Sequence, residues 1–460
     1  MSPYQVAHLE GKPDRTMEGK SQTELEKRLQ DLLDRRRTTS TLRKLTLPLA
    51  NQVDFSSNDF LSLATSAQFK KLFLEELASS KLPQGSGGSR LLDGNSTYAE
   101  VLERDIAQFH GAKAGLLFNS GFDANAGFFA CVPQPGDVIV YDELVHASVH
   151  DGMRLSRAGK TIAFKHNSVP DLREVLQDLV DEDVLLRREK RRVIVAVESI
   201  YSMDGDLAPL KEIVNAVEEL VGSERGYIVI DEAHSTGVLG HRGRGLVCEL
   251  GLEDRVFARL HTFGKALASN GGKANCFLST GDCIANFNIA IILGSHTLRE
   301  YLINYARPLI YTTFMAYPAL VAIRSSYTLL QTGQTVTLQV NLHHLTRTLF
   351  ASLGALRTRS SAAHAALKIP SACPRSPIFS IQVYQPKELA RCLQDHGLMV
   401  RAVVPPTVPF GTERVRICLH SGNTVSQIES LVRVLEEWCK DMSHDREKET
   451  KSKAGMQARL

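Results

Sequence analysis

Five short and nearly continuous apolar runs constrain the fold of this chain most, because each run ends abruptly in polar residues. The runs lie between residues 80 and 318 and read AGLLFNS, DVIVYDE, RRVIVAVES, GYIVIDEAH and RVFARLHTF. Helix-like segments separate them. Strands that are apolar on both faces are typical of a mostly parallel sheet covered by helices on both sides. The runs therefore predict an α/β fold.

The polar residues that end these runs predict where a ligand binds. They are Asn119-Ser120, Asp142-Glu143, Glu198-Ser199, Asp231-Glu232 and His261-Thr262. Ligands of open α/β sheets bind beyond the carboxyl ends of the strands. We therefore expect one site at that edge of the sheet.

A change of pattern near residue 319 predicts a division of the 460-residue chain into domains. We expect a tail, an amphipathic helix and an extended entry segment over 1–79, and a large domain over 80–318. A smaller C-terminal α+β domain over 319–443 carries the strand-like runs PIFSIQV, LMVRAVV and RVRICLH. It closes with the helical segment SQIESLVRVLEEWCKDM, and the polar segment 444–460 is expected to be a disordered tail.

Charge, hydropathy and cysteine usage exclude several classes of protein. The 54 basic and 51 acidic residues nearly balance, and no nucleic-acid motif occurs, so we expect no nucleic-acid partner. No uninterrupted apolar window of about 18 residues occurs, which excludes a membrane span. Eight scattered cysteines without a CxxC pair, and no secretory signal, indicate reduced thiols in a non-secreted protein.

Lys265 and Asp231 lie at strand ends, and together they suggest the chemistry of an aldehyde cofactor. A lysine attacks an aldehyde only when unprotonated, so burial or nearby positive charge must lower its pKa. The small residues ALASNGG after Lys265 would let a flat ring approach. Asp231 needs a cationic partner, and the pyridinium nitrogen of pyridoxal 5′-phosphate is one. A surface lysine and a turn-capping aspartate are the plainer alternatives.

A phosphate group needs backbone N–H groups and hydroxyls, best at a helix N-terminus. The stretch FNSGFDANAG supplies the turn Ser120-Gly121-Phe122 before helix-forming residues, and Thr262 adds a hydroxyl. The glycine-rich GSGGSR lacks the ending of a nucleotide-binding loop. His146 and His150 have metal-ligand spacing, but no third ligand follows. We therefore expect no metal and assign His146 to stacking on a ring.

Six motifs together resemble the α-oxoamine synthases. They are DEAHSTGVLGHRGRG, HTFGKALAS, ESIYSMDGDLAPL, NSGFDAN, GSGGSRLLDG and YARPLIYTT. Members of that family use pyridoxal phosphate to condense an amino acid with an acyl-CoA, with loss of CO2. The resemblance covers residues 25 to 440 and implies fold type I of the pyridoxal-phosphate-dependent transferases. Within the family the chain most resembles the biotin-pathway members, which join L-alanine to a pimeloyl thioester.

The resemblance implies a role for each matching residue around the cofactor. Lys265 would bind the cofactor covalently and remove the substrate α-proton. Asp231 would pair with the pyridine nitrogen and His234 with the phenolate oxygen. His146 would stack on the ring and, when protonated, donate a hydrogen bond to a substrate oxygen. Ser202 would lie near the phenolate side and the substrate.

Further matches imply contacts to the phosphate and the substrate. The amides of Gly121 and Phe122, with Thr262, would hold the phosphate. Positions that match substrate contacts in the biotin-pathway enzymes are Arg43, Asn58 and Thr407. Family members are homodimers with sites at the interface, and the resemblance implies the same assembly here.

The chain departs from the family pattern before PPTVP. Bacterial biotin-pathway enzymes place an arginine there that contacts the amino-acid carboxylate, whereas this chain has Val404. Arg401 lies three residues earlier, as in the serine-using sphingolipid relatives, and Arg416 lies on the next strand. A carboxylate prefers a bidentate arginine partner. We therefore expect Arg401, Arg416 or both to bind it.

A second departure is the segment 273–289, KANCFLSTGDCIANFNI, which interrupts a region that is nearly continuous in relatives. It is either a surface loop of this protein or an in-frame retained intron, and we favour the retained intron. Recovery of a peptide from 274–289 by mass spectrometry of the native protein would refute that interpretation.

Three other functions share much of this pattern. A glycine C-acetyltransferase (2-amino-3-oxobutyrate ligase) carries almost every motif, but PPTVP favours the biotin-type enzyme. A secondary-metabolism synthase with another acyl donor remains open. A non-catalytic subunit would be expected to lack the lysine, and Lys265 is present.

The last three residues, Ala-Arg-Leu, resemble the small–basic–leucine address of peroxisomal proteins. The polar tail before them would expose the tripeptide to a receptor, although three loosely defined positions also match by chance. We expect a peroxisomal location where the address is read and a cytoplasmic one otherwise.

Overall fold

The computed structural model of the protein describes residues 22–39, 41–45, 51–79, 82–182, 186, 190–269 and 289–457. The chain divides into two compact units, Met1–Pro48 and Leu49–Leu460. Nearly all of the segment 273–289 and the C-terminal tripeptide 458–460 lie outside the described residues. The domain boundaries that the sequence predicts inside the second unit stay predictions.

The N-terminal unit contains the predicted amphipathic helix, Glu24–Thr38. Thr23 starts it with a capping box, because its hydroxyl accepts the amide of Glu26 (3.3 Å) and its own amide donates to the Glu26 carboxylate (2.7 Å). Glutamates lie in the first turn and arginines in the last, where the helix dipole favours each charge.

The second unit alternates strands with helices. Its described strands are β1 (Val53–Asp54), β2 (Ala114–Phe118), β3 (Val138–Asp142), β4 (Lys160–Phe164), β5 (Val193–Glu198), β6 (Gly226–Asp231), β7 (Ala258–Thr262), β8 (Ala290–Gly294), β9 (Ile378–Gln382), β10 (Leu398–Met399), β11 (Arg401–Val403) and β12 (Arg414–Cys418). Its described α-helices are Ala67–Ser79, Thr97–Phe109, Gly121–Cys131, Ala147–Arg154, Val169–Glu182, Leu210–Leu220, Leu246–Leu250, His296–Tyr305, Arg307–Ile310, Tyr317–Gln331, Val336–Arg359, Ser361–Ala366, Pro386–Asp395 and Val425–Gln457, and its 3-10 helices are Leu63–Thr65 and His241–Gly243.

Seven of these strands form the central sheet in the order β2-β8-β7-β6-β5-β3-β4. Neighbours pair parallel except at β8, which is antiparallel to both β2 and β7. The five apolar runs become β2, β3, β5, β6 and β7, so the predicted mostly parallel sheet is confirmed. All residues of β2, β5 and β7 are buried, as strands covered on both faces should be.

A smaller antiparallel sheet, β11-β12-β9, forms from the C-terminal runs that the sequence predicted as strands. LMVRAVV divides between two sheets, because β10 pairs with β1 and β11 pairs with β12. One hydrophobic core joins both sheets: it includes Val195 and Ile230 of the large sheet and Phe379 and Ile417 of the small one. This shared core explains why residues 49–460 form one compact unit.

The final helix extends to Gln457 and so takes in most of the segment 444–460, which the sequence predicted as a disordered tail. The physical reason is composition: the segment has no proline and is rich in Lys, Glu, Arg and Ala, which favour helix. None of the helices in the described ranges is both long enough and apolar enough to cross a membrane.

Candidate active site

The reactive groups meet at the carboxyl edge of the central sheet. Glu198 and Asp231 end the parallel strands β5 and β6 and are register partners, so both carboxylates lie at the same edge. β7 ends at Thr262 beside them, and Lys265 follows three residues later. The predicted gathering of strand ends at one site is therefore present.

Lys265 lies half-buried in the turn after β7. Its Nζ donates a hydrogen bond to Oγ1 of Thr262, 3.2 Å away. Burial lowers the pKa of Lys265, because it disfavours the ammonium form, and the positive charge of Arg416 lowers it further. The carboxylates of Asp231 and Glu198 oppose this shift without reversing it. A neutral, nucleophilic amine is therefore more accessible here than on a surface lysine.

Asp231 is held by one donor on each carboxylate oxygen. The amide of Ala233 donates to Oδ1 (2.9 Å), and the Asn125 side chain donates to Oδ2 (2.9 Å). Each oxygen keeps a further lone pair for a cationic donor. This arrangement suits the pairing with a pyridinium nitrogen that the sequence predicted.

His234 supplies a direct test of whether the site fits pyridoxal phosphate. Its Nδ1 is buried and has no hydrogen-bond partner in the described ranges. Burial, together with the positive charges of Lys265 and Arg416, holds the pKa of His234 well below its usual range, so the ring is neutral. A buried polar atom without a partner is costly. The phenolate oxygen of the cofactor would satisfy it, so the residues present fit this group.

His146 is the N-cap of the helix Ala147–Arg154. Its backbone amide donates to Glu198 Oε1 (2.7 Å), and its ring, which is only partly open to solvent, lies edge-on to Phe122. Its Nδ1 accepts the backbone amide of Ser148 at 3.2 Å and lies 2.7 Å from the Ser148 hydroxyl. Burial of the ring atoms is the main cause that lowers the pKa of His146. With Nδ1 facing the amide and the hydroxyl of Ser148, these bonds favour a hydrogen on Nε2, and the hydrogen bond from a protonated His146 to a substrate oxygen stays a prediction.

Asn125 and Ser148 connect Asp231 to His146, and the sequence did not single them out. Asn125 donates to both Asp231 and the Ser148 hydroxyl (3.1 Å), and that hydroxyl keeps its hydrogen for Nδ1 of His146. Both side chains are buried. This series of hydrogen bonds, here called the relay, fixes Asp231 and His146, the two groups that would contact different parts of the cofactor ring.

The predicted phosphate cradle is the start of the helix Gly121–Cys131. The hydroxyl of Ser120 caps this helix by accepting the amide of Asp123 (2.9 Å), which leaves the amides of Gly121 and Phe122 free of intrahelical bonds. A Cβ on Gly121 would lie 2.8 Å from Cγ2 of Thr262, so no larger residue fits without movement. The cradle has room for an anion because position 121 lacks a side chain.

A cavity of about 350 Å³ joins these groups, within the ordinary range for small-molecule sites. Its lining includes the predicted Asn58, Gly121, Phe122, His146, Asp231, His234, Thr262 and Lys265. Lining residues that had no individual role predicted from the sequence are Ser120, Asn125, Glu198, Ala233 and Gly264, although Ser120 and Glu198 were expected at this edge of the sheet. Glu198 gave a signal, because it ends an apolar run. Burial and the charge of Asp231 raise its pKa well above the usual range.

Arg416 of β12 contacts the lining of this cavity through Asn58. Its Nε donates to the carbonyl oxygen of Ser202 (2.6 Å), and a terminal nitrogen donates to Oδ1 of Asn58 (2.9 Å). Three predicted residues are therefore brought together. Arg401 is the register partner of Arg416 across the antiparallel pair, so both side chains leave the same face of the small sheet.

The remaining predicted substrate residues lie elsewhere among the described residues. Thr407 is exposed in the turn before Val408 and does not line the cavity. Arg43 is exposed in the N-terminal unit, and its contact with substrate stays a prediction. The side chains described in the structure form no cluster of histidine, cysteine or acidic residues able to hold a metal ion.

Comparisons with known proteins agree with this geometry. The family model for aminotransferase class I and II matches residues 50–435. The chain is 50% identical over 416 residues to 8-amino-7-oxononanoate synthase of Emericella nidulans, covering 90% of this chain and 96% of that protein. It is 38% identical over 427 residues to an aminoacyl transferase, sphA, of Aspergillus fumigatus, covering 90% and 87%.

Among solved structures, serine palmitoyltransferase of Sphingomonas wittichii shares the fold. The TM-score is 0.73 at 23% identity, and the likeness covers 90% of this chain and 98% of that one. The predicted type I fold is thereby confirmed. The match to the family model over most of the chain, together with the site around Lys265, identifies the protein as a pyridoxal-phosphate-dependent acyltransferase that belongs to the aminotransferase class I and II family.

Proposed function

We propose that the protein condenses L-alanine with pimeloyl-CoA to give 8-amino-7-oxononanoate, CoA and CO2. The observation that carries this proposal is the 50% identity, over 90% of the chain, to a protein named for that product. The reaction forms one carbon–carbon bond, breaks the thioester bond and releases the amino-acid carboxyl group. Pyridoxal phosphate supplies an electron sink for the pair left on the α-carbon.

Lys265 is the base of this reaction. Its lowered pKa leaves part of the lysine as a neutral amine, which removes the α-proton of the amino acid. The Thr262 hydroxyl 3.2 Å away orients Nζ at the edge of the cavity. Asp231 accepts hydrogen bonds from the Asn125 side chain and the amide of Ala233, and these two donors orient its carboxylate.

His146 holds a proton where the thioester reacts. Two donors from Ser148 face its Nδ1, so Nε2 carries the hydrogen and donates it to the thioester carbonyl oxygen. The hydrogen bond from the His146 backbone amide to the Glu198 carboxylate keeps the ring at the cavity while the thiolate of CoA leaves.

Arg416 binds the amino-acid carboxylate, with Arg401 beside it on the same face. The guanidinium of Arg416 donates to the Ser202 carbonyl and to the Asn58 side chain, and these two hydrogen bonds fix its plane. Separate Arg416→Ala and Arg401→Ala variants test the assignment. If neither changes the affinity for the amino acid, it is wrong.

A CoA-release assay tests the substrates. L-alanine, glycine and L-serine are each combined with pimeloyl-CoA, acetyl-CoA and palmitoyl-CoA. We expect release with L-alanine and pimeloyl-CoA to have the highest kcat/KM. Preference for glycine with acetyl-CoA would instead identify a C-acetyltransferase.

A secondary-metabolism synthase is the second candidate, and two observations favour it. The aminoacyl transferase sphA of Aspergillus fumigatus is 38% identical over 90% of this chain. In addition, Val404 stands where bacterial biotin-pathway enzymes have arginine. Preference for a longer acyl-CoA in the same assay would support this candidate.

Assembly and location follow as parts of the proposal. A homodimer is expected from the family, and sedimentation of the holoenzyme measures it. Where Ala-Arg-Leu ends the mature chain, a fluorescent fusion in a fungal host should enter peroxisomes. Deletion of residues 458–460 should leave that fusion in the cytoplasm. Unchanged location after the deletion would refute the address.

A further inference from the structure

His166 lies between two carboxylates, outside the lining of the cavity. Its Nδ1 is 2.9 and 3.1 Å from the two carboxylate oxygens of Asp142, and its Nε2 is 2.7 Å from Oδ2 of Asp206. Ionised carboxylates accept hydrogen bonds and cannot donate them. Both ring nitrogens must therefore carry hydrogen, which makes His166 an imidazolium. No sequence motif singled out this residue.

The carboxylates are themselves fixed. Asp142 ends β3 and is fully buried, and it also accepts the backbone amides of Leu144 (2.9 Å) and Asn167 (2.8 Å). The Asn167 side chain donates to the same oxygen of Asp206 at 2.6 Å. His166 therefore joins the rigid end of a central strand to Asp206, which belongs to the loop 200–207.

The loop 200–207 is a short hairpin that carries Ser202. Ile200 and Leu207 form its antiparallel bridge, and the amide of Tyr201 donates to the Asp206 carbonyl (3.0 Å). On the side facing the small sheet, the Ser202 carbonyl accepts Nε of Arg416 at 2.6 Å, and Asp204 pairs with Arg414. The hairpin is thus held by His166 on one side and by β12 on the other.

We propose that His166, as an imidazolium, is a positioning residue that holds the loop 200–207 and, through the Ser202 carbonyl, orients Arg416 for the amino-acid carboxylate. This inference rests on the carboxylate-binding role proposed for Arg416. The Ser202 carbonyl is one of two oxygens that anchor that guanidinium, and Asn58 provides the other. Movement of the hairpin by a fraction of an ångström would turn the guanidinium plane away from a bidentate contact.

The charge on His166 sets the range of pH over which it can hold the loop 200–207. Burial alone lowers its pKa, but the hydrogen bonds to Asp142 and Asp206 outweigh burial and raise it to about 10. A raised histidine pKa stabilises the folded protein fully below its ordinary value of 6.5. The contribution declines above that value and is lost as the pH rises through about 10.

The other groups that face His166 do not replace this titration. The Glu143 carboxylate accepts the backbone amide of His166 (3.0 Å), not a ring nitrogen. Tyr201 meets the ring edge-on at 4.4 Å, and burial holds its pKa well above the usual range, so it stays neutral. Lys165, the preceding residue, is exposed and paired with Asp171 at 2.8 Å.

The first measurement is amino-acid binding to the holoenzyme. L-alanine, glycine and L-serine are titrated while the absorption of the bound cofactor is followed, with no acyl-CoA present. His166→Gln removes the charge. It should weaken binding of the amino acid that the wild type binds most tightly by about tenfold or more, and the cofactor absorption of the free enzyme should be unchanged. The matched control, His364→Gln, changes an exposed histidine of the small domain and should bind as the wild type does.

The second measurement is the thermal midpoint from pH 6 to pH 11. The wild type and His364→Gln should lose stability between pH 6.5 and about 10 more steeply than His166→Gln. Asp206→Asn, which removes one of the two charges but keeps the shape of the side chain, should shift the loss to lower pH. This variant serves even if His166→Gln is too unstable to purify.

The outcomes separate this inference from the proposed function. Amino-acid affinity in His166→Gln equal to the wild type overturns the positioning role, whatever the acyl donor. Identical pH profiles of stability in the wild type and His166→Gln overturn the imidazolium. If no amino acid of the three binds the wild type, the proposed function fails and takes the role of Arg416 with it, while the stability profile still decides the charge of His166.

Discussion

At the scale of single residues, Lys265 decides whether the protein is an enzyme. We expect Lys265→Ala to lose the visible absorption of the covalently bound cofactor and to lower CoA release by about 10²- to 10⁴-fold or more, because alanine has no amine to remove the α-proton. Absorption spectra and the CoA assay measure the two effects. Lys160→Ala, an exposed lysine on the edge strand β4, is the control and should keep both. Wild-type turnover in Lys265→Ala would contradict the assignment.

Asn125 gives a second prediction at this scale. Asn125→Leu keeps the size of the side chain but removes the donors to Asp231 and Ser148. Leaving a buried acceptor unpaired costs about 1–3 kcal/mol, so cofactor affinity should fall by roughly 5- to 100-fold. Dialysis against pyridoxal phosphate followed by absorption measures the Kd. Asn304→Leu changes an exposed asparagine and should have no effect. An unchanged Kd in Asn125→Leu would remove the relay from the site.

Whether the sequence could predict a site residue depends on what determines the position of that residue. Lys265, Asp231 and Thr262 follow strand ends, so the sequence predicted that they lie together, and they do. Ser148 and Asn125 act through hydrogen bonds between two helix starts and a strand. Such bonds depend on the packing of distant segments, so no local pattern reveals them. Thr407 matches a family motif, yet its side chain does not reach the cavity lining.

At the scale of elements, the turn between β2 and the following helix gives the next prediction. A Cβ at position 121 would lie 2.8 Å from Thr262 Cγ2, where the helix start must approach the end of β7. We expect Gly121→Ala to force this helix away from Thr262. Overpacking costs about 1–3 kcal/mol, which corresponds to roughly 5- to 100-fold weaker binding of pyridoxal phosphate.

Equilibrium titration of cofactor-free protein with pyridoxal phosphate measures that change. Gly354→Ala is the matched control, because a Cβ at position 354 meets nothing within 4 Å inside the helix Val336–Arg359. Alanine there should leave cofactor affinity unchanged and stabilise the helix by about 0.5–1 kcal/mol. Equal cofactor affinity in Gly121→Ala and the wild type would show that the cradle is not the phosphate site.

Strand prediction succeeded for strands that are buried along their whole length, and it missed β4 and β8 for two different reasons. β5 and β7 are buried along their whole length, so their apolar runs are uninterrupted. β4 lies at the edge, where only Phe164 is buried, and its sequence KTIAF carries no such run. β8 is apolar but follows directly after the segment 273–289, which the sequence interpreted as an interruption. Edge position and local context, not propensity, account for both omissions.

At the scale of the whole molecule, one core serves both sheets. It runs from Phe55 and Val195 to Phe379, Val415 and Leu435, all fully buried. Segments that share a core cannot expose it one at a time without a large loss of buried apolar surface. Residues 49–460 should therefore unfold as one cooperative unit, although the sequence pattern predicts two domains.

Trp438 makes this testable, because it is the only tryptophan of the chain and lies buried in the final helix, within the shared core. Its fluorescence reports the C-terminal region, and the absorption of the cofactor on Lys265 reports the large sheet. We expect both signals to change at the same urea concentration, since loss of either sheet opens the shared core. Trp438→Phe should abolish the fluorescence signal and leave the absorption transition in place, which verifies the probe. Two transitions at separate urea concentrations would mean that the domains unfold independently and that the core contacts between them contribute little to stability.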